Sequence, residues 1–222
     1  MNVVIVYAHP YDGSFCKGLL DTVVAHLEER DAAVKVKDLV KMNFDCTMQP
    51  EDLASTKTKQ YTDAVKAEQA DANWADCYVT ISPVWFGMVP GFLKGYFDKV
   101  FISGFGYDAD TGVGKLKNKR IYSLFTCGAM SPYLDLARQF ECINILWDNL
   151  FGMCGFIDVS TKYFQAVPHS PVEVRKHYLK EAEQYIDQIF DKKPGETGQL
   201  GFGALLSKTA PTLIGAYLNK DN

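Results

Sequence analysis

Short runs of β-branched and aromatic residues recur along this chain between longer amphipathic stretches, and that alternation constrains its fold more than any other feature. Residues 3–7 (VVIVY), 77–82 (CYVTIS) and 121–126 (IYSLFT) are apolar without a period of two. Such runs read as strands covered on both faces. Residues 34–38 and 158–165 are two further strand candidates. Between the strands the period changes: Phe15, Leu19, Val23 and Leu27 share one helical face, and Leu179, Ala182, Ile186 and Ile189 share another. Strand and helix alternate about five times, and parallel strands need crossover connections of this kind. The expected fold is therefore α/β, a doubly wound parallel sheet with helices on both faces.

Composition narrows the partners. With 222 residues, 47% of them apolar, the chain has enough material for one well-packed domain. A net charge of −4, without a run of five like charges, offers no basic footprint for nucleic acid or anionic membrane. The opening MNVVIVYAHP has no basic segment, and its apolar run is too short for a signal sequence or a membrane span, so a cytoplasmic protein is expected. Six scattered cysteines lack metal-like spacing and read as reduced thiols, with no metal site expected.

In a doubly wound sheet, ligands bind beyond the carboxyl ends of the strands where strand order reverses. The loops after strands one, three and four are the places to search. The first, AHPYDGSFCKG, ends at Ser14, a good N-cap for a helix starting at Phe15; a helix N-terminus of this kind binds phosphate readily. Lys17 would add a charge in the first turn. The sequence has no GxGxxG in this loop and no GxxxxGK[ST] anywhere, so a nicotinamide-type Rossmann site and a P-loop lose support. Ser14 serves equally well as a plain cap, and His9 as a plain hydrogen-bonding histidine.

The second loop lies in SPVWFGMVPGFLKGYFDKV, where Pro83 stiffens a turn and Pro90 suits the start of a helix. Trp85 and Phe86 then stand at the binding edge, able to cover a flat ring while backbone N–H groups donate to its rim. The third loop, FTCGAMSPY, brings Thr126, Cys127, Gly128 and Ala129, small enough to let a ligand edge come close, with Tyr133 able to reach back over it. Cys127 has no histidine near it in sequence and reads as an inert small residue. Aromatics on one loop and a phosphate-type helix start on another suggest a bound flavin.

Taken together, AHPYDGSF, PVWFGMVPGFLKGYFDKVF, the FGYD at residues 105–108, NILW, CGF and HSPVEVR resemble the NAD(P)H:quinone oxidoreductases of the DT-diaphorase type. The resemblance runs from Val3 to about Phe190. It implies a flavodoxin-like sheet of order 2-1-3-4-5, a domain over residues 1–191 with a tail over 192–222 packed on it or partly disordered, and a homodimer with a flavin on each subunit. Carried over by position, His9, Ser14, Phe15 and Cys16 would hold the phosphate end. Pro83, Val84, Trp85 and Phe86, with Thr126, Cys127, Gly128 and Ala129, would contact the ring. Arg175, in HSPVEVR, matches a position that meets the adenine half of FAD in the long members, which favours FAD over FMN. The implied reaction is two-step hydride transfer, from NADH or NADPH to the flavin and then to a quinone, with azo or nitro compounds as side substrates. Tyr107 would line the substrate site from the partner subunit.

Two departures from the family pattern stand out. The family has a Tyr and, six residues later, a His that help move a proton; ungapped alignment from NILW puts Leu134 and Phe140 there, while Tyr133 fills the Tyr place after a one-residue shift. The pair Trp85–Phe86 also sits one residue closer to Pro83 than in the animal enzymes, leaving open which ring abuts the flavin. Two other readings compete: an ancillary regulatory flavoprotein of a potassium efflux system, whose members tend to be shorter, and a one-electron carrier like flavodoxin, usually far more acidic than this chain.

Overall fold

The computed structural model describes residues 1–129 and 136–191. Its elements alternate as the sequence predicts: β1 (Asn2–Tyr7), α1 (Phe15–Glu29), β2 (Ala33–Asp38), α2 (Pro50–Thr58), α3 (Asp63–Trp74), β3 (Cys77–Pro83), α4 (Gly91–Val100), β4 (Arg120–Thr126), α5 (Leu136–Cys154), β5 (Asp158–Phe164) and α6 (Val172–Asp191). All ladders are parallel and the order is β2-β1-β3-β4-β5. Each strand thus needs a helical crossover to reach its neighbour.

The unbroken apolar runs have the physical consequence expected of them: every residue of β3 and β4 is buried. Alternate residues feed two cores. Val4, Val6, Tyr78, Ile121 and Phe125 meet α4 and α5 through Leu93, Phe97, Trp147 and Phe151. Val3, Ile5, Val79, Tyr122 and Leu124 meet α1 and α6 through Leu19, Val23, Ile186 and Ile189. The edge strand β2 is mostly solvent-facing.

Some buried polar side chains of the cores are paired, while the buried Tyr78 hydroxyl and Thr80 Oγ1 have no hydrogen-bond partner among the described residues. The Trp147 indole N–H donates to Ser123 Oγ at 3.0 Å, and the Tyr96 hydroxyl donates to Glu68 at 2.8 Å. Strand order reverses between β1 and β3, which are adjacent yet lead their chains to opposite sides of the sheet. The carboxyl ends of β1, β3 and β4 therefore leave a crevice between their loops. Among the described residues, no helix is long and apolar enough to cross a membrane. Tyr133, Leu134 and residues 192–222 lie outside the described residues.

Candidate functional site

Ser14 caps α1 with an extended backbone (φ −78°, ψ 157°), and its Oγ accepts the Lys17 N–H at 3.2 Å. The N–H groups of Phe15 and Cys16, at the first two helical positions, have no carbonyl partner within the helix, and the positive end of the helix dipole adds to them. Lys17 does not join them: its ammonium pairs with Asp21 one turn along the helix. Cys16 Sγ lies 3.2 Å from Thr126 Oγ1, joining α1 to the end of β4. Burial raises the Cys16 thiol to about 12, so it is a neutral, packed group at neutral pH.

His9 follows β1. Its Nδ1 accepts the Tyr11 N–H at 3.1 Å, which leaves the proton of the neutral ring on Nε2 as a donor. Burial pushes the imidazole below its ordinary value, so the neutral form prevails at pH 7. On the next loop, Val84 N–H donates to Thr126 O at 2.7 Å. Trp85 and Met88 exchange two backbone bonds, of 2.8 and 3.1 Å, across a two-residue turn in which Phe86 has φ 48° and Gly87 φ 81°. Positive φ at both central residues is the geometry of a type I′ hairpin turn.

These loops enclose a cavity of about 440 Å³ lined by His9, Tyr11, Ser14, Phe15, Cys16, Pro83, Val84, Trp85, Thr126, Cys127, Gly128, Val167, Pro168 and Arg175. Eleven of the residues expected from the sequence thus converge. Trp85 settles which aromatic ring walls the cavity: it is on the lining, whereas Phe86 is fully exposed at the hairpin tip and absent from it. Ala129, expected at the site, is absent from the lining; its carbonyl instead accepts Ala166 N–H at 3.0 Å, tying the loop after β4 to the loop after β5. Tyr107 lies in another cavity, a groove of about 530 Å³ bordered by α4 and α5 and lined with Met88, Phe101, Leu146, Leu150 and Met153.

Sequence reasoning missed Tyr11, Val167 and Pro168. The last two come from the loop after β5, tied to the loop after β4 by Val167 N–H donating to Cys127 O at 3.1 Å. The rule that pointed to three strand ends applies equally to this fourth one, and the Val167-Pro168 turn was the available signal. Phe140, in the aligned place of the family's histidine, stacks flat on Tyr163 with centroids 3.9 Å apart and planes at 14°. It is an α5 residue packed against β5, and its ring cannot carry a proton. The Cys127 thiol is pushed up by burial, consistent with an inert lining group.

The donor set fits a planar heterocycle with an anionic tail. Pro83, Val84 and Trp85 form an apolar wall, while unshared N–H groups at the start of α1 and the His9 Nε2–H offer donors at one end. Two relatives place the chain in context. An uncharacterized NAD(P)H oxidoreductase of Haemophilus influenzae is 28% identical over 83% of this chain and 93% of its own. NAD(P)H dehydrogenase [quinone] 1 of Cavia porcellus is 27% identical over 87% and 78%. A solved FMN-dependent NADH-azoreductase of Bacillus anthracis, in complex with FMN, superposes with a TM-score of 0.66 at 20% identity, covering 85% of this chain and 98% of that one. Residues 1–189 match the family model of the flavodoxin-like fold, and with the sheet order and the crevice at its switch point this chain belongs to that family.

Proposed function

We propose that this chain is a flavin-dependent NAD(P)H:quinone oxidoreductase. The observation that carries the reading is the convergence, in one cavity at the switch point, of the α1 N-terminus capped by Ser14 with the apolar wall of Pro83, Val84 and Trp85. The cavity volume is within the range of small-molecule sites, roughly 300–1,000 Å³. The names of the two relatives support the reductant and the quinone.

A bound flavin supplies the hydride and two-electron chemistry; the protein's part is to hold it and shape its surroundings. Phe15 and Cys16 N–H, with the Ser14 hydroxyl, would hold a phosphate at the helix start. His9, neutral with its proton on Nε2, would donate to the same end of the ligand. Trp85, fixed by the hairpin bonds to Met88, would cover one face of the ring, and Thr126, Cys127 and Gly128 would border its edge. Fixing these groups before the ligand arrives lowers the reorganisation demanded of the site.

FMN and FAD share the ring and the first phosphate, and both are served by these contacts. The FAD expectation rests on Arg175 at the cavity rim; the FMN-bound azoreductase supports FMN, and azo compounds as further acceptors. The reading includes a homodimer in the cytoplasm, in which a second copy brings Tyr107 to the cavity mouth. Tyr107 sits on the apolar face with exposed Leu146 and Met153, away from its own chain's cavity.

The test is the absorption spectrum of the purified protein, with the heat-released cofactor identified by mass. A yellow protein that bleaches with NADH or NADPH and recovers with benzoquinone is the expected result. A protein that takes up neither FMN nor FAD on reconstitution overturns the reading.

A further inference from the structure

The Phe86–Gly87 turn carries no packing of its own. Phe86 is fully exposed, and its backbone is in the left-handed region that a bulky side chain avoids. The base of the hairpin is supported: the Trp85 ring meets His9 at 5.9 Å and Phe92 at 6.3 Å, both edge-on. Its tip is held by a different element. The side chain of Gln139, on α5, lies directly over Gly87, where an added Cβ would come within 2.5 Å of Gln139 Nε2, 3.5 Å of Cδ and 3.9 Å of Cγ.

Gln139 is itself presented from a fixed place. The neighbouring Phe140 ring stacks on Tyr163, and the Tyr163 and Thr161 hydroxyls donate to Asn144 Oδ1 at 2.9 and 2.6 Å. Those contacts stitch the first turns of α5 to β5. A line of contacts therefore runs from β5 through α5 to the tip of the β3–α4 hairpin. Glycine at 87 serves two purposes there: it accepts φ 81°, and it makes room for the amide.

We propose that Gln139 is a positioning residue for the cavity: by packing on the Phe86–Gly87 turn it fixes the hairpin and, through the two Trp85–Met88 hydrogen bonds, the indole that walls the site. The cofactor half of this proposal rests on the flavin reading above; the hairpin half does not.

The experiment uses the full chain in a Trp74→Phe background, where buried Trp147 is shielded and acrylamide quenching reports mainly on Trp85. Gln139→Ala is expected to raise the quenching constant about twofold without FMN present, and to weaken FMN binding about tenfold. Gln139→Met, which keeps the bulk, should restore part of both effects. In a double-mutant cycle with Gly87→Ala, the two FMN-binding losses should fall short of additivity, because Gly87→Ala already displaces the Gln139 side chain. Unchanged quenching in Gln139→Ala overturns the proposal whatever FMN does, and changed quenching with unchanged FMN affinity overturns its cofactor half. If the wild type binds no flavin, the flavin reading has failed, and the quenching result alone decides whether Gln139 holds the hairpin.

Discussion

The indole of Trp85 meets the imidazole of His9 across the mouth of the cavity, ring centroids 5.9 Å apart and planes inclined at 63°. The two residues come from loops that follow adjacent strands, β1 and β3, paired up to Tyr7 and Ile81. Edge-to-face pairs of this kind contribute about 0.5–1.5 kcal/mol beyond their burial. Trp85→Ala removes both that contact and the wall, so FMN affinity should fall about tenfold or more, ~1.4 kcal/mol. Phe86→Ala, altering a side chain outside the cavity lining, should change FMN affinity by less than about twofold. Titration of FMN fluorescence checks both, and equal losses from the two variants would show that Phe86 folds over the ligand.

Ser14 does two things that a pair of ligands can separate. As an N-cap it satisfies the Lys17 N–H, and losing such a cap costs about 1 kcal/mol of stability. As part of the phosphate end it should matter to FMN and hardly at all to riboflavin, which has the same ring without the phosphate. Ser14→Ala is therefore expected to lower the urea midpoint modestly and to weaken FMN severalfold while leaving riboflavin affinity nearly unchanged. A parallel loss for both ligands in calorimetric titrations would place the Ser14 contribution in folding alone.

His9 gives the ligand-free protein an acid limb. Burial holds its folded-state pKa below the ordinary 6.5. Between those two values the unfolded chain binds more protons than the folded one, so stability rises with pH there. The contribution is complete above the unfolded value and is lost as pH falls through the folded one, where protonation at Nδ1 also breaks the bond accepted from Tyr11. In His9→Asn this limb should be missing. The stability difference between wild type and variant, measured by urea unfolding from about pH 7.5 to about pH 5, should shift toward the variant on acidification; a difference independent of pH counts against a half-buried, neutral imidazole.

What was legible in the sequence follows from which forces act locally. The strands could be read because their burial on both faces leaves unbroken apolar runs, as in Val3, Val4, Ile5, Val6 and Tyr7, all with no exposed surface. The cavity was legible because Ser14 announces a helix start and Trp85 an aromatic in a loop. Loop details were not, since the fate of individual N–H groups depends on distant partners: Val84 donates to Thr126 and Trp85 to Met88, so neither is free for a ligand. Lys17 looked like a phosphate contact until Asp21, one turn away, claimed it. Phe86 and Trp85 are adjacent and chemically alike, and only the turn geometry, with φ 48° at Phe86, sends one ring into the wall and the other into solvent.

Lys99 on α4 and Asp52 on α2 are both almost fully buried, with Nζ 3.0 Å from Oδ2. Lys99 Nζ also donates to Thr47 O at 2.9 Å and lies 3.5 Å from Asp45 Oδ2, which is more exposed, and Asp52 Oδ2 accepts the Gln49 N–H at 2.8 Å, so the pair pins the segment after β2 onto α4. Removing one member of a buried pair strands the other charge and costs about 3–5 kcal/mol, whereas replacing both with apolar groups of similar volume is often close to neutral. Asp52→Ala and Lys99→Met should each lower stability strongly, while Lys99→Met combined with Asp52→Leu should be less destabilised than either single variant. Because neither residue lines the 440 Å³ cavity, FMN affinity of the folded protein should be the same in all three. Urea unfolding and FMN titration on the same samples test this together: a double variant worse than both singles would mean that the pair contributes net stability, and a parallel loss of FMN affinity would mean that the α2 segment reaches the cavity through contacts beyond this pair.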